Sequence, residues 1–217
     1  MGRVLCAAPP ADRLARRLYR AARRWLLEAR LRRGLAQPVR RIVVGASGVV
    51  EPGWLATEED FLSLLRRDDW LRYFAACPVD AILAEHVWEH LGGEEGLAAA
   101  RTCFEFLRPG GYVRVAVPDG LHPSGDYRAR VRPGGTGAGA ADHKVLYDYR
   151  SFGAVFQRAG FEVRLLEYYD ETGQFHFREW DPDEGMVWRS KRFDPRNQAG
   201  RIVYTSIVLD AIKPRPA

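Results

Sequence analysis

Residues 79–119 read VDAILAEHVWEHLGGEEGLAAARTCFEFLRPGGYVRVAVPD and carry the pattern from which the sheet is predicted. This stretch contains a short apolar run at 79–84, a helix-forming segment that ends at the proline-glycine-glycine of 109–111, and an alternating run at 112–119. A strand, a helix and a second strand in this order are typical of a crossover between parallel strands.

The flanking sequence continues this alternation. Short strand-like runs lie at 42–44 and 53–57, and further helix-forming segments lie at 68–76 and 148–161. Two further strand-like runs, 162–169 and 202–212, follow without a helix between them. The pattern predicts an α/β fold, with a Rossmann-like, mostly parallel sheet, helices on both faces and an antiparallel terminal hairpin.

The composition favours a single globular domain in a reducing compartment. The chain has 217 residues, of which 47% are hydrophobic and 28% are charged. No apolar run approaches the roughly 18 residues that cross a bilayer, and no export signal is recognisable. Cys6, Cys77 and Cys103 show neither metal spacing nor a disulfide framework, so we expect free thiols and a cytoplasmic protein.

The positive charge is confined to one segment. Residues 1–41 contain twelve arginines against Asp12 and Glu28, a net charge of +10, whereas the whole chain carries +5. The remainder is therefore acidic, at −5. A nucleic-acid-binding domain usually carries its basic surface on the fold itself, so no nucleic-acid partner is expected.

Residues 12–34 predict an amphipathic helix that Asp12 begins and Gly34 ends. We therefore divide the chain into this basic N-terminal segment, 1–37, and one domain, 38–217. The favoured interpretation is a helix docked on the domain or on a second copy in a homodimer. The alternative is peripheral contact with an anionic membrane. The apolar residues at helical spacing are Leu14, Leu18, Ala22, Trp25 and Ala29.

Ligands of open α/β sheets bind beyond the carboxyl ends of the strands. The residues just after the predicted strands are therefore the candidates for a nucleoside-type site. They are Gly45, Ala46, Ser47, Gly48, Glu58, Glu85, His86 and Asp119.

Several motifs resemble, in order, those of class I S-adenosylmethionine-dependent methyltransferases. They are VVGASG, GWLATEED, ILAEHVWEHL, FLRPGGYVRVAVPDG, DHKVLYDYRSF, AGFEVRLLEYYD, FHFREWDP and YTSIVLDAIKP. The chain is similar to bacterial methyltransferase-domain proteins over residues 38–214. The resemblance implies a seven-stranded sheet with an antiparallel last strand, S-adenosylmethionine as the cofactor, and methyl transfer to a small-molecule or glycan acceptor.

The resemblance also implies roles for individual residues. The turn Gly45–Gly48 would lie beside the methionine part of the cofactor, and Glu58 would hold the ribose hydroxyls. Asp69 and Trp70 would lie near the adenine. Two departures are notable: Ser47 replaces a more usual glycine, and TEED replaces TD, so that Glu59 is the alternative ribose partner. These departures keep open a catalytically silent fold that serves as a binding or partner subunit.

Histidines supply the candidates for proton transfer because their ordinary pKa lies near neutrality. His143, at the end of the glycine-rich segment 131–143 that we interpret as a lid, is the first candidate, and His86 is the second. A loop-ordering hydrogen bond is the alternative role for His143. The segment 175–182 is interpreted as an acceptor pocket, a sheet-edge contact or a dimer surface.

The spacing of His86, Glu89 and His90 also fits a divalent metal site completed by His143 or His122. Glutamate and histidine occur at the same place in metal-free relatives of this superfamily. The sequence therefore favours a structural or cofactor-shaping role for them, and predicts no metal.

Overall fold

The computed structural model describes residues 12–48, 51–198 and 200–216. Its seven strands form one sheet in the order β2-β1-β3-β4-β7-β5-β6. The strands are β1 (Arg41–Val43), β2 (Leu55–Ala56), β3 (Val79–Glu85), β4 (Leu107–Pro118), β5 (Glu162–Tyr169), β6 (Phe175–Phe177) and β7 (Ser206–Ile212). The helices are α1 (Arg13–Gly34), α2 (Arg67–Phe74), α3 (Gly93–Phe106), α4 (Gly125–Val131) and α5 (Tyr149–Arg158).

The strand directions confirm the predicted mixed sheet. β1 pairs in parallel with β2 and β3, and β3 pairs in parallel with β4. β7 lies antiparallel between β4 and β5, which forms the expected terminal pairing. The parallel crossover from β3 through α3 to β4 is also present. The sheet is an α/β, Rossmann-like arrangement with antiparallel strands at one end.

The edge strand β6 was not predicted. Phe175–Phe177 pairs antiparallel with β5, in a region whose sequence is irregular and aromatic. Of the roles considered for 175–182, the structure shows packing at the sheet edge, where Trp180 is also buried. A strand of three residues is too short to produce a recognisable alternation.

The two faces of the sheet are covered differently. The main core cluster contains side chains from α1, α2, α3 and α5, such as Leu31, Trp70 and Phe156. The opposite cluster includes Trp180 and Val187, which belong to the irregular stretch between β6 and β7. The sequence predicts helices on both faces, but this irregular stretch takes their place on the second face. Two free cysteines, Cys77 and Cys103, are described; Cys6 lies outside the described residues.

Helix α1 is docked on the domain, as the favoured interpretation expected. The Asp12 carboxylate accepts hydrogen bonds from two backbone N–H groups in the first turn, which confirms the predicted cap. The buried side chains of the helix are Leu27 and Leu31, and Gly34 lies against Leu55 of β2. The apolar face proposed from the sequence is therefore the wrong one for docking, since Leu27 and Leu31 lie on a different side. Among the described residues, no helix is long and apolar enough to cross a membrane.

A buried ion pair joins β4 to β7. Arg114 donates to both carboxylate oxygens of Asp210 at 2.8 and 3.0 Å, and it is 1% exposed. Its remaining guanidinium nitrogen donates to the carbonyl oxygens of Asp181 and Gly185. The pair thereby fixes the irregular segment that covers the second face of the sheet.

Replacing Arg114 with alanine should leave the Asp210 carboxylate buried without its partner. We expect Arg114→Ala to lower the free energy of unfolding by about 3–5 kcal/mol, measured by urea denaturation. The control is Arg108→Ala, which breaks a half-exposed pair with Asp80. It should cost less than about 1 kcal/mol. Equal losses for the two variants would contradict this account.

Candidate functional site

A cavity lies where the strand order reverses. The chain runs from β1 outward to β2 and then returns past β1 to β3, so the connections leave the carboxyl ends of β1 and β3 in opposite directions. The cavity there has a volume of about 730 Å³. Residues from five regions line it: the turn after β1, the turn after β3, helix α4, the glycine-rich loop, and the segment before β7.

The turn after β1 brings its backbone to the cavity. Gly45, Ala46 and Ser47 line it. Gly45 has a φ of +61°, and a Cβ there would lie 2.9 Å from a methyl group of Val87. Only glycine fits this position without strain. Gly48, with a φ of +87°, completes the turn but does not line the cavity.

Two non-glycine residues of the described chain have positive φ angles, and both line the cavity. They are Ser47, at +47°, and His86, at +57°. Such backbone conformations cost free energy and concentrate at functional sites. Their coincidence at one cavity marks this end of the sheet as the candidate active site.

Glu58 lies beside the glycine turn but outside the cavity lining. Its carboxylate accepts a hydrogen bond from the Gly48 N–H at 3.4 Å. The same oxygen lies 2.5 Å from the Arg23 guanidinium of α1, so the charge of Glu58 is already paired. The structure thus brings together the two elements predicted to bind the cofactor, with α1 added. Glu59, the alternative, is exposed.

The structure does not bring Asp69 and Trp70 to the cavity. The Asp69 carboxylate accepts hydrogen bonds from the Ser63 N–H and from Arg66. Trp70 is fully buried among Phe74 and Phe106, and its ring N–H donates to the Ser63 carbonyl. Their geometry therefore gives no support to contacts with adenine, because both side chains hold α2 and the preceding turn in the core.

Glu85, a predicted cofactor-binding residue, lines the cavity, but its carboxylate has a structural task. It accepts hydrogen bonds from the backbone N–H groups of Trp188 and Arg189 at 3.1 and 2.7 Å. The Trp188 ring donates to Glu51, which also lines the cavity, at 2.6 Å. This wall was missed by the sequence analysis because the segment before β7 has no periodic pattern. The only sequence feature that could have indicated this wall is the acidic residue at the end of β3, Glu85, which binds it.

His86 and His143 both line the cavity and both approach Glu89. His86 Nε2 lies 3.0 Å from the Ser206 hydroxyl, and its Nδ1 lies 2.8 Å from a Glu89 oxygen. His143 Nδ1 lies 2.7 Å from the Val131 carbonyl oxygen, which is the loop-ordering bond considered above. His143 Nε2 lies 4.0 Å from the same Glu89 oxygen.

Glu89 lies at the centre of this cluster and is 1% exposed. Burial raises the pKa of its carboxyl group, but the neighbouring His86, and to a lesser extent His90, lower the pKa below its ordinary value. Its backbone carbonyl accepts the N–H groups of Lys144 and Val145. The turn after β3 is thereby tied to the end of the glycine-rich loop, whose Gly137–Ala140 also line the cavity.

Two tyrosines that line the cavity were not identified from the sequence, and an aspartate that the sequence placed at the site lies behind them. Tyr127 and Tyr204 line it with their rings 4.9 Å apart. The Tyr127 hydroxyl donates to the Thr205 carbonyl and accepts the Asp119 N–H. Asp119, a sequence candidate, is fully buried behind them, and burial raises its pKa to about 6. It accepts the N–H group of Tyr169 and so fixes β5 to the end of β4.

Comparison with known proteins yields structural matches alone: no family model and no curated protein matches the chain. A SAM-dependent methyltransferase from Archaeoglobus fulgidus shares 15% identity at a TM-score of 0.45, over 87% of this chain and 93% of its own. One from Thermotoga maritima shares 13% at 0.44, over 91% and 97%. An O-methyltransferase family protein from Burkholderia thailandensis shares 11% at 0.47, over 95% of this chain and 61% of its own. The fold described above rests on the strand order and pairing.

His122 makes the protein sensitive to acid. Its ring is 2% exposed and stacks on Tyr127, with 4.0 Å between ring centroids. Nδ1 accepts the Ser124 N–H, whereas Nε2 is buried and has no hydrogen-bond partner in the described part of the chain. Burial, together with the charge of Arg128, lowers its pKa from 6.5 to about 4. The ring is therefore neutral in the folded protein at neutral pH.

The unfolded chain protonates this histidine at a higher pH than the folded chain does. The stability that His122 contributes is therefore complete above pH 6.5 and is lost as the pH falls towards 4, by up to about 3 kcal/mol. We expect His122→Phe, which keeps a stacked ring, to flatten the fall of the melting temperature between pH 7 and pH 4. The control His176→Gln, which replaces a half-exposed histidine on β6, should retain the native profile over this pH range. Parallel curves for native and His122→Phe proteins would contradict the assignment.

Proposed function

We propose that the chain is an S-adenosylmethionine-dependent methyltransferase. The observation that carries this proposal is the position of the glycine turn after β1. Gly45–Ser47 present a positive-φ backbone to a cavity at the reversal between β1 and β3, which is where open α/β sheets bind nucleotide-like ligands. The sequence motifs resemble those of this enzyme class in the same order.

The residues present fit such a cofactor. The cavity volume of about 730 Å³ falls within the range of small-molecule sites. A ligand can approach the backbone at Gly45 closely because this residue has no Cβ. Glu58, which follows β2, accepts a hydrogen bond from the Gly48 N–H. In this proposal the turn holds the methionine part and Glu58 holds the ribose. S-adenosylmethionine, when bound, supplies a methyl group carried on a positively charged sulfur.

The acceptor would bind at the histidine end of the same cavity. His86 has both ring nitrogens close to other groups, whereas His143 has only Nδ1 engaged by the Val131 carbonyl. Of the two sequence candidates, His143 is therefore the better placed to act on an acceptor hydroxyl. Arg130 and Arg189 also line the cavity, which favours a polar acceptor such as a small metabolite or a glycan.

One observation favours a second function. The carboxylate of Glu58 is paired with Arg23, so a ribose diol must compete with a guanidinium for it. If the ion pair wins, the fold is catalytically silent and serves as a binding or partner subunit. The two functions differ in whether the native chain binds the cofactor product.

Calorimetric titration with S-adenosylhomocysteine tests the proposal. We expect the native chain to bind and Glu58→Ala to lose about 10- to 100-fold in affinity, because a hydrogen bond to a charged group contributes about 1.5–3 kcal/mol. The control is Glu59→Ala, which removes the exposed neighbouring carboxylate and should bind as the native chain does.

The same experiment separates the two functions. Absence of binding by the folded native chain would overturn the methyltransferase proposal and favour the silent fold. Arg23→Gln sharpens the result, since removing the competing guanidinium should tighten binding if Glu58 holds the ribose. An unchanged affinity in both Arg23→Gln and Glu58→Ala would remove Glu58 from the binding site.

A further inference from the structure

We propose that Glu89, His90 and His143, with His86 beside them, form a binding site for one divalent transition-metal ion. One ligand atom from each of the first three residues lies within 4.8 Å of the other two. The three residues line the cavity described above. Two imidazoles and a carboxylate are a ligand set that suits zinc, manganese, iron or cobalt.

The Glu89 carboxylate provides the second observation. It is 1% exposed, and neither of its oxygens has a hydrogen-bond partner among the described residues. His86 Nδ1 is 2.8 Å from one oxygen, but the two atoms are not aligned as a hydrogen bond. Burying a carboxylate without hydrogen bonds is costly unless a positive charge compensates for the lost water.

The hydrogen bonds around the histidines direct lone pairs at that carboxylate. The Val131 carbonyl can only accept, so His143 carries its proton on Nδ1 and a neutral ring leaves the Nε2 lone pair free. This is the way in which a supporting carbonyl orients a metal-binding imidazole. The His143 and His90 rings meet edge to face, with 4.8 Å between centroids.

His86 follows the same logic. The Ser206 hydroxyl donates its hydrogen to the Arg189 carbonyl at 2.8 Å, so in this arrangement it accepts from His86 Nε2. A neutral His86 then leaves its Nδ1 lone pair only 2.8 Å from a Glu89 oxygen. Two electron pairs at that separation repel each other unless a proton or a cation lies between them.

The spacing leaves room for a cation. Ligand atoms held about 2.1 Å from one ion lie roughly 3–4 Å apart, so the side chains must close by about 1 Å. The backbone link from the Glu89 carbonyl to Lys144 and Val145 keeps the cluster together before an ion arrives. If the proposed function holds, the acceptors are hydroxyl compounds whose oxygen binds the ion. His143 then acts on the acceptor through that ion.

Metal titration of the full chain tests this inference. The protein is stripped with a chelator, the chelator is removed, and Co²⁺ and then Zn²⁺ are added while visible absorption and calorimetry are recorded. We expect about one equivalent to bind, with the cobalt absorption of a nitrogen- and oxygen-ligated site. Glu89→Gln keeps the shape but removes the charge, and it should weaken binding by more than about a hundredfold.

His143→Ala should weaken metal binding in the same way, whereas the control His176→Ala, on the remote strand β6, should leave metal binding unchanged. Circular dichroism and S-adenosylhomocysteine titration on the same samples report whether each variant is folded. Absence of stoichiometric metal binding, or binding that survives both cluster variants, would overturn the site. If the native chain binds the nucleoside but no metal, the metal site is overturned and the proposed function stands. If it binds the metal but not the nucleoside, the metal site stands and the proposed function is overturned.

A different observation supports a second inference, which concerns α1. Leu14, Leu18 and Trp25 are 66%, 63% and 71% exposed. At 100° per residue they lie within 40° of one another, on one side of the helix. Leu27 and Leu31, which dock the helix, lie on a different side. The exposed apolar stripe therefore has no partner within the described chain.

We infer that this stripe docks on an anionic lipid surface. The helix carries nine arginines against one glutamate, and most of these arginines are exposed. Pairing with a second copy through the same stripe would bring two strongly positive helices together. A surface of anionic headgroups instead complements the arginines while the tryptophan and leucines enter the apolar boundary.

Vesicle co-sedimentation of the full chain tests this second inference. Vesicles of phosphatidylcholine with about one third phosphatidylserine should retain the protein, and neutral phosphatidylcholine vesicles should retain far less. Leu18→Gln combined with Trp25→Gln should release most of it, whereas the control Leu65→Gln, an exposed leucine elsewhere, should not. Equal retention of native and double-variant proteins, or a dimer in solution that the double variant abolishes, would overturn the inference.

Discussion

The reversal of strand order between β1 and β3 is the constraint on which the site depends. The connections that leave these two strands diverge, so no loop of either strand can close the gap between their carboxyl ends. Other parts of the chain surround that gap. The turn after β1 presents backbone, the turn after β3 presents histidines and glutamates, and the loop before α5 crosses from the other side.

The segment before β7 has little regular secondary structure and is held in place by buried side-chain hydrogen bonds. Glu167 of β5 accepts from the ring of Trp180, from the Lys191 N–H and from the Thr205 hydroxyl. Together with the Arg114 and Asp210 pair, these bonds hold an aperiodic chain against the sheet. Such bonds are directional and depend on residues far apart in sequence, so the wall they build is specified by tertiary contacts.

The sequence predicts the parts of this fold that rest on local patterns. Hydrophobic periodicity locates β3, α3 and β4, and Asp12 marks the start of α1 because a capping carboxylate needs only its neighbouring N–H groups. Asp69 and Trp70 were assigned by resemblance, and their burial depends on contacts that no local pattern encodes. The sequence likewise places Glu89 near three histidines, but it cannot show that the carboxylate is buried without hydrogen bonds.

The glycine-rich loop is fastened unequally at its two ends. After His143 the chain is held by two N–H groups on the Glu89 carbonyl, whereas the Gly137 N–H donates to the Arg130 carbonyl of α4 and the Gly134 N–H donates to the Ala140 carbonyl. The Ala140 carbonyl also accepts the His143 N–H, so a movement of the tip can reach His143 through this bond. A ligand that moves the tip as it enters would therefore act on His143 before it acts on the two bonds to the Glu89 carbonyl.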